Sequence, residues 1–436
     1  MQQADIAICG AGIAGISTAF QLTRKGAGKI VLIDPESPMT VTSDKSSESY
    51  RNWWPSRTMV ALIDRSIDLL EGFEEEFGIG LGRRGYLFAT AESPDSFMAD
   101  AQAISALGAG PLRIDEEYRG GDVPWSQIPP GADIMTEPSD ISSRFPYLND
   151  DVTAVLHARR AGWFDSKRYG GGLLESARDA GANVISDQVV AVEENPGGGY
   201  SVVLESGEQI GTEVFVNAAG PSAAQVAEMV GDDLPLFTEL HTKVVFRDHL
   251  RLVPRDAPML LWADRQRLDW DDEEREALAT DPDLAYLLDE LPALCHFHPE
   301  GSEESPWVVG QWSVTTPRTP PVFPIEIDPM YAEVVLRGLS TMIPRLAPYT
   351  EWLPSTSVDG GYYTRTESNH PLIGAGSAPG VFHVVGLGGF GLMASAAAGE
   401  LAANWVVGAD LPEYATALRP GRDEESLLEI SGKGQL

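Results

Sequence analysis

The sequence predicts an α/β protein: a parallel, helix-wound β-α-β part combined with an α+β part built on a mixed or antiparallel sheet. Three observations predict it. Asp5–Cys9 alternates as a short buried strand, Gly10-Ala-Gly12-Ile-Ala-Gly15 opens a helical stretch to about Gly26, and Lys29–Ile33 is a second strand closed by Asp34. From about Pro235 to Pro354 that character gives way to longer strands and many prolines. The chain has 436 residues, 43% of them apolar, which is enough for two or three domains' worth of core.

Each glycine of the first unit has a physical task. Gly10 permits a tight turn, Gly12 lets a diphosphate approach the backbone, and Gly15 lets the helix lie close to the strand. The helix N-terminus offers free N–H groups and a positive dipole to the phosphates. Asp34, 24 residues after Gly10, is placed to accept hydrogen bonds from a ribose. The unit therefore reads as a Rossmann-like dinucleotide site. A P-loop is excluded, because Ile16 and Ser17 follow Gly15 where that motif needs Lys and Ser/Thr.

The 31 basic and 65 acidic residues give a formal charge of −34, which argues against sequence-independent binding to nucleic acid or anionic membranes. Cys9 and Cys295 are too few for a disulfide framework or a four-thiolate metal site, and the metal expectation is none. No basic region precedes the first apolar stretch, so a cytoplasmic protein is expected. The apolar segment Gly380–Gly399 holds many glycines with His383 and Ser395. It reads as strand, tight loop and helix rather than a membrane span.

Further along, Met59, Ile63, Ile67, Leu70 and Phe77 mark one face of a helix from Thr58 to Phe77. A helix is expected from Gly171 to about Ala180. Strands are expected over Val184–Glu194 and Tyr200–Glu205 with a hairpin at Asn195–Gly199, then over Glu213–Asn217 running into Ala218-Ala-Gly220. Residues 265–291 read as a charged helical insertion with Leu278, Leu284, Leu287, Leu288 and Leu291 as its apolar positions.

Four separated pieces then line up with one family. They are Gly10–Asp34; the loop Val41-Thr42-Ser43-Asp-Lys-Ser46-Ser47; Gly162-Trp-Phe-Asp165 with the later Val216-Asn-Ala-Ala219-Gly220; and Gly360–Gly374 followed by Gly386-Leu-Gly-Gly-Phe-Gly391. In this order the chain resembles the FAD-dependent D-amino-acid oxidase superfamily, in the branch with sarcosine oxidase, glycine oxidase and dimethylglycine dehydrogenase. The resemblance implies a glutathione-reductase-type FAD domain from residues 1–86, 157–232 and 358–436. An interleaved substrate domain would comprise 87–156 and 233–357. It implies FAD contacts at Thr42, Ser43, Ser46, Ser47, Val189, Ala219, Gly220, Gly388, Gly389, Phe390, Gly391, Leu392 and Met393.

The implied activity is oxidation of the C–N bond of a secondary amine or amino acid, such as an N-substituted glycine, to an imine that water hydrolyses. The partners would be that small molecule and O₂ or another electron acceptor. The alternatives are a glycine or D-amino-acid oxidase with a relocated carboxylate clamp, and a flavin-binding subunit of an electron-transfer complex.

Three departures from the family pattern shape the site. Tyr363 stands where glycine and D-amino-acid oxidases carry a clamping Arg. Met393 stands where sarcosine oxidase-like enzymes carry a Lys linked to oxygen activation. Gly361 stands at the flavin-tethering Cys, and no His precedes His157, so FAD is expected to be non-covalent. The resemblance then implies a carboxylate clamp at Arg51, which stands where the sarcosine oxidase branch carries an active-site arginine, with Arg365 and Lys243 as reserves. His296 is the candidate to hold the amine. Tyr50, Trp53, Trp54, Gln311 and Trp312 are the candidate pocket walls.

Overall fold

The computed structural model describes residues 2–116, 127–424 and 427. Parts of the expected spans 87–156 and 358–436 therefore lie outside the described residues.

Short apolar strands, most of them buried along nearly their whole length, form a six-stranded sheet in the order Asn183–Ser186, Ile30–Asp34, Ile6–Cys9, Val214–Asn217, Val381–Val385, Leu372–Ala375. The first five run parallel and the last antiparallel. Along the first strand, Ile6 and Ile8 face a helical layer while Ala7 and Cys9 face the opposite side. Helices Ile13–Arg24, Arg57–Phe77, Ser166–Asp179 and Gly391–Val407 make that layer. A four-stranded sheet, including the meander Val189–Glu194, Tyr200–Leu204 and Gln209–Thr212, covers the other face.

The nine-stranded sheet is mixed. Its order is Thr356–Arg365, Phe237–Arg247, Trp307–Gln311, His296–Pro299, Met259–Trp262, Tyr86–Thr90, Ala154–Ala158, Ala132–Met135, Leu112–Ile114. Helix Tyr331–Met342 packs on it through Val335 and Leu339 in a second apolar core.

Several expected boundaries shift. Thr356–Arg365 pairs along its whole length with Phe237–Phe246, so a border at 357/358 cuts a strand of the nine-stranded sheet. The border at 156/157 likewise falls inside Ala154–Ala158. Backbone pairing of the two flanking strands, invisible in the chain's own pattern, decides both. The expected strand 184–194 divides in two: Asp187 N–H bonds the Asp34 carbonyl, and the chain then crosses to the meander. The helix expected at Gly171 starts at Ser166, where Asp165 accepts the N–H groups of Lys167 and Arg168. The insertion at 265–291 is an α-helix only over Asp272–Thr280, because Pro282 breaks it. A Gln266–Leu291 bridge closes its base.

One helical segment among the described residues, Gly388–Val407, is long and apolar enough to cross a membrane. Most of it is buried within the protein, against helices Ile13–Arg24 and Arg57–Phe77.

Burial also sets an acid limit. His157 is enclosed in the nine-stranded sheet with Nε2 2.9 Å from the Arg84 carbonyl oxygen. Burial, helped by the Arg159 charge, lowers its pKa to about 3. A folded value below the unfolded one means the unfolded chain binds the extra proton. The associated stability is complete above pH ~6.5 and is lost as pH falls toward the folded value. Unfolding free energies from urea titrations should fall more steeply between pH 7 and 5 for wild type than for His157→Gln, by up to about 1.4 kcal/mol per pH unit. Parallel curves would refute this account.

Candidate active site

The cleft is built where the first strand ends. Gly10 has φ 112°, and a Cβ there would lie 2.3 Å from the Ala218 carbonyl oxygen; a Cβ on Gly15 would lie 2.0 Å from the Gly10 oxygen. Gly12 caps helix Ile13–Arg24 and is different, since a Cβ there would meet only Ser43 Oγ at 3.3 Å, on the cleft side. Asp34 accepts from Ala11 N–H at 2.7 Å and Glu36 N–H at 2.9 Å. Burial raises its pKa while these donors oppose the shift. Its oxygens retain acceptor capacity for a ribose hydroxyl.

Across the cleft, Ser43 Oγ accepts from Ile13 N–H at 3.0 Å and Thr42 donates to the Tyr362 carbonyl at 3.1 Å. Ser46 Oγ accepts from Glu48 N–H. Three groups of the nine-stranded sheet hold this loop. Lys243 donates to the Ser46 carbonyl at 2.5 Å, His298 Nε2 lies 3.0 Å from the Ser47 carbonyl, and Lys45 pairs with Asp359 at 2.8 Å.

Asn217 positions the third side, accepting from Ala219 N–H at 3.2 Å beside Gly220. The fourth is Gly386–Gly389 and the N-terminus of helix Gly391–Val407, with Gly388, Gly389, Gly391 and Leu392 on the cleft wall. A Cβ on Gly389 would come within 2.6 Å of the Tyr363 ring. Two helix N-termini and backbone bare of side chains thus face one cleft. That donor set fits a dinucleotide with an anionic diphosphate and an electron-rich ring.

Beyond Gly389 lies an inner pocket, and it gathers the residues nominated for chemistry. Arg51, His296 and Tyr363 line it with Ser47, Trp54, Gln311, Phe390 and Met393. Arg51 is buried, its guanidinium 4.7 Å from the Trp54 ring centroid and its Nε donating to the Trp53 carbonyl at 3.2 Å. Burial pulls its pKa below the ordinary value. His296 Nδ1 lies 2.8 Å from the Leu294 carbonyl oxygen, which assigns the proton to Nδ1 and leaves Nε2 an acceptor. Nε2 is buried, with the Gln311 side chain as its polar neighbour. Burial lowers the His296 pKa to about 4. Gln311, paired opposite His296 on the next strand, donates to Tyr363 OH at 3.3 Å.

Strand alternation removes two candidates. Ser49 and Arg51 face the pocket, so Tyr50 points away, into the core beside Phe164, and donates to the Gly82 carbonyl. Trp312 likewise points opposite to Gln311, donating to the Pro292 carbonyl in the second core. Trp53 lines a neighbouring chamber instead of the inner pocket. Val189, whose expected contact with FAD is through its backbone, sits at a bulge of the meander with its side chain in the core. Arg365 is paired with Glu239 at 2.8 Å and lines the neighbouring chamber, while Lys243 holds the loop; neither of these reserve cations lines the inner pocket.

The inner pocket also contains His241 and Ser313, which sequence reasoning missed. His241 stacks on Tyr363 with centroids 4.0 Å apart, its Nδ1 2.9 Å from Ser313 Oγ and its Nε2 3.3 Å from Glu239. The available signal was Glu239, His241 and Lys243 at period two, three ionisable groups on one face of a strand. Among the described residues, no group of three or more His, Cys, Asp or Glu could hold a metal ion.

Comparison with known proteins accords with this geometry. Residues 5–405 match the family model described as FAD dependent oxidoreductase. Human mitochondrial dimethylglycine dehydrogenase is 24% identical over 426 residues, 96% of this chain and 44% of that protein. The chain thus spans less than half the length of this relative. Glycine oxidase from Geobacillus kaustophilus superposes with a TM-score of 0.75 at 16% identity, covering 97% of this chain and 100% of that one. Iminodiacetate oxidase from Chelativorans sp. BNC1 gives 0.70 at 19% identity, covering 95% and 98%. The family model spans nearly the whole chain, and the chain belongs to the FAD-dependent oxidoreductase family.

Proposed function

We propose that the protein oxidises the C–N bond of a secondary amine or amino acid, of the N-substituted glycine type, to an imine that water then hydrolyses. The observation that carries this is the convergence of Arg51, His296 and Tyr363 on one buried pocket against the Gly389–Met393 turn. We assign the cofactor to the six- and four-stranded sheets and the substrate to the nine-stranded one.

FAD, when bound, supplies the acceptor for a hydride equivalent from the carbon next to nitrogen. Gly12 and the first turn of helix Ile13–Arg24 would hold its diphosphate, Asp34 its ribose, and Gly388–Leu392 the electron-rich end of its ring. Gly361 leaves no tethering thiol, which supports non-covalent binding.

Arg51 offers a desolvated guanidinium to the substrate carboxylate, and burial strengthens that contact. His296, with its lowered pKa, stays neutral at pH 7 and presents Nε2 to an amine N–H without adding a repelling charge. A neutral acceptor beside Arg51 favours the free-base amine, whose lone pair oxidation requires. Met393 in place of a Lys supports an electron acceptor other than O₂.

N-Methylglycine or N,N-dimethylglycine should bleach the bound flavin anaerobically, with faster turnover on an artificial dye than on O₂. A flavin that no amine or amino acid bleaches would sink the proposal. Arg51→Ala should raise KM for a carboxylate-bearing amine roughly ten- to a hundredfold, with little effect on an amine lacking the carboxylate. An unchanged KM would move the clamp elsewhere. Gly12→Val should purify without flavin, whereas wild type should release its flavin on denaturation; a fully loaded mutant would refute the diphosphate assignment.

A further inference from the structure

The inner pocket is small, about 20 Å³, on the order of room for one water. It adjoins a chamber of about 640 Å³ on the far side of His241 and Ser313, both of which line the two spaces. The chamber wall is mixed: Trp53, Phe88, Phe97, Ile104, Leu156 and Leu294 give it an apolar side, and polar and charged residues, Glu92, Asp100, Asp264 and Arg365 among them, make the other. Three of its charged groups are engaged by the protein, and Glu92 and Asp100 add acidic side chains to the wall. Asp264 accepts from Thr90 Oγ1 at 2.5 Å and Ala91 N–H at 2.6 Å, Arg365 pairs with Glu239, and Arg265 pairs with Glu290 at 2.9 Å.

From this partition we infer that the substrate carries a bulky aromatic or branched aliphatic group on its nitrogen, and that this group occupies the chamber. The inference rests on the C–N oxidation reading and narrows its substrate class. Its logic is positional. Arg51 lines only the inner pocket, so the carboxylate end belongs there. The groups at the border, His241 and Ser313, are hydrogen-bonded to each other and His241 also to Glu239, with burial keeping His241 below its usual pKa, so the amine stays with His296 on the inner side of that border. Whatever is attached to the nitrogen then continues into the chamber. A methyl group would leave the aromatic walls unfilled. A benzyl-sized group would bury apolar surface against Trp53, Phe88 and Phe97, which favours binding in proportion to the area covered.

The test is anaerobic flavin reduction of the holoprotein by N-methylglycine, N-benzylglycine and both enantiomers of phenylalanine. N-Benzylglycine should exceed N-methylglycine at least tenfold in kcat/KM. Ser96→Trp, which adds an indole from an exposed position on the chamber wall, should lower the ratio of the two at least tenfold. Phe97→Ala, which enlarges the chamber, should lower the ratio in a second background. Bleaching by N-methylglycine with no preference for N-benzylglycine would overturn the inference and leave the C–N reading standing. A preference for phenylalanine would overturn it by placing the bulk on the α-carbon. No bleaching by any of the four, or by N,N-dimethylglycine, would overturn both.

Discussion

The backbone of Gly10 lies so close to Ala218 that no side chain fits between them, and the position of the cleft follows from that contact. Because the turn is bare, helix Ile13–Arg24 begins directly above the ends of Ile6–Cys9 and Val214–Asn217. Asp34 then reaches back to Ala11 N–H and fixes the turn from the neighbouring strand. A methyl group at Gly10 or Gly15 would push apart backbone that cannot yield cheaply. The loop at 42–47 and the turn at 386–389 complete a cleft whose edge this packing has already placed.

This arrangement reconciles a charge of −34 with an anionic ligand. Residues 1–23 contain no Lys or Arg, so the positive end of the site is made of backbone N–H groups and helix termini. Such dipoles act over a turn or less and are indifferent to the distant acidic surface. The cation of the inner pocket works on another principle. Arg51 is desolvated and held against Trp54 and Tyr86, so it meets a carboxylate in surroundings where water screens little.

The two parts of the protein share an apolar core, in which Tyr86, Leu156 and Leu261 of the nine-stranded sheet meet the helices beside the six-stranded one, and polar contacts add orientation. Lys243, His298 and Asp359 hold the loop that lines the cleft, and Tyr363 and His241 stack where that sheet meets the glycine turn. Lys243 is half-buried and its pKa lowered, yet two backbone carbonyls take up its ammonium. The pocket is therefore shaped by polar contacts to backbone, which specify orientation as well as proximity.

Much of the cofactor cleft was legible along the chain, because its parts are local. A strand, a glycine turn, a helix start and an acid 24 residues on are short-range features with their own periodicities and steric demands. The inner pocket was legible only in outline. Arg51, His296 and Tyr363 were nominated and do meet, while Tyr50 and Trp312 were nominated beside them and point into the core. Neighbouring residues of a strand face opposite sides, and which side is the pocket depends on the register with strands far away in sequence. The pairing of Thr356–Arg365 with Phe237–Phe246 set the sheet's edge and brought Tyr363 against His241, and no local pattern encodes that long-range register.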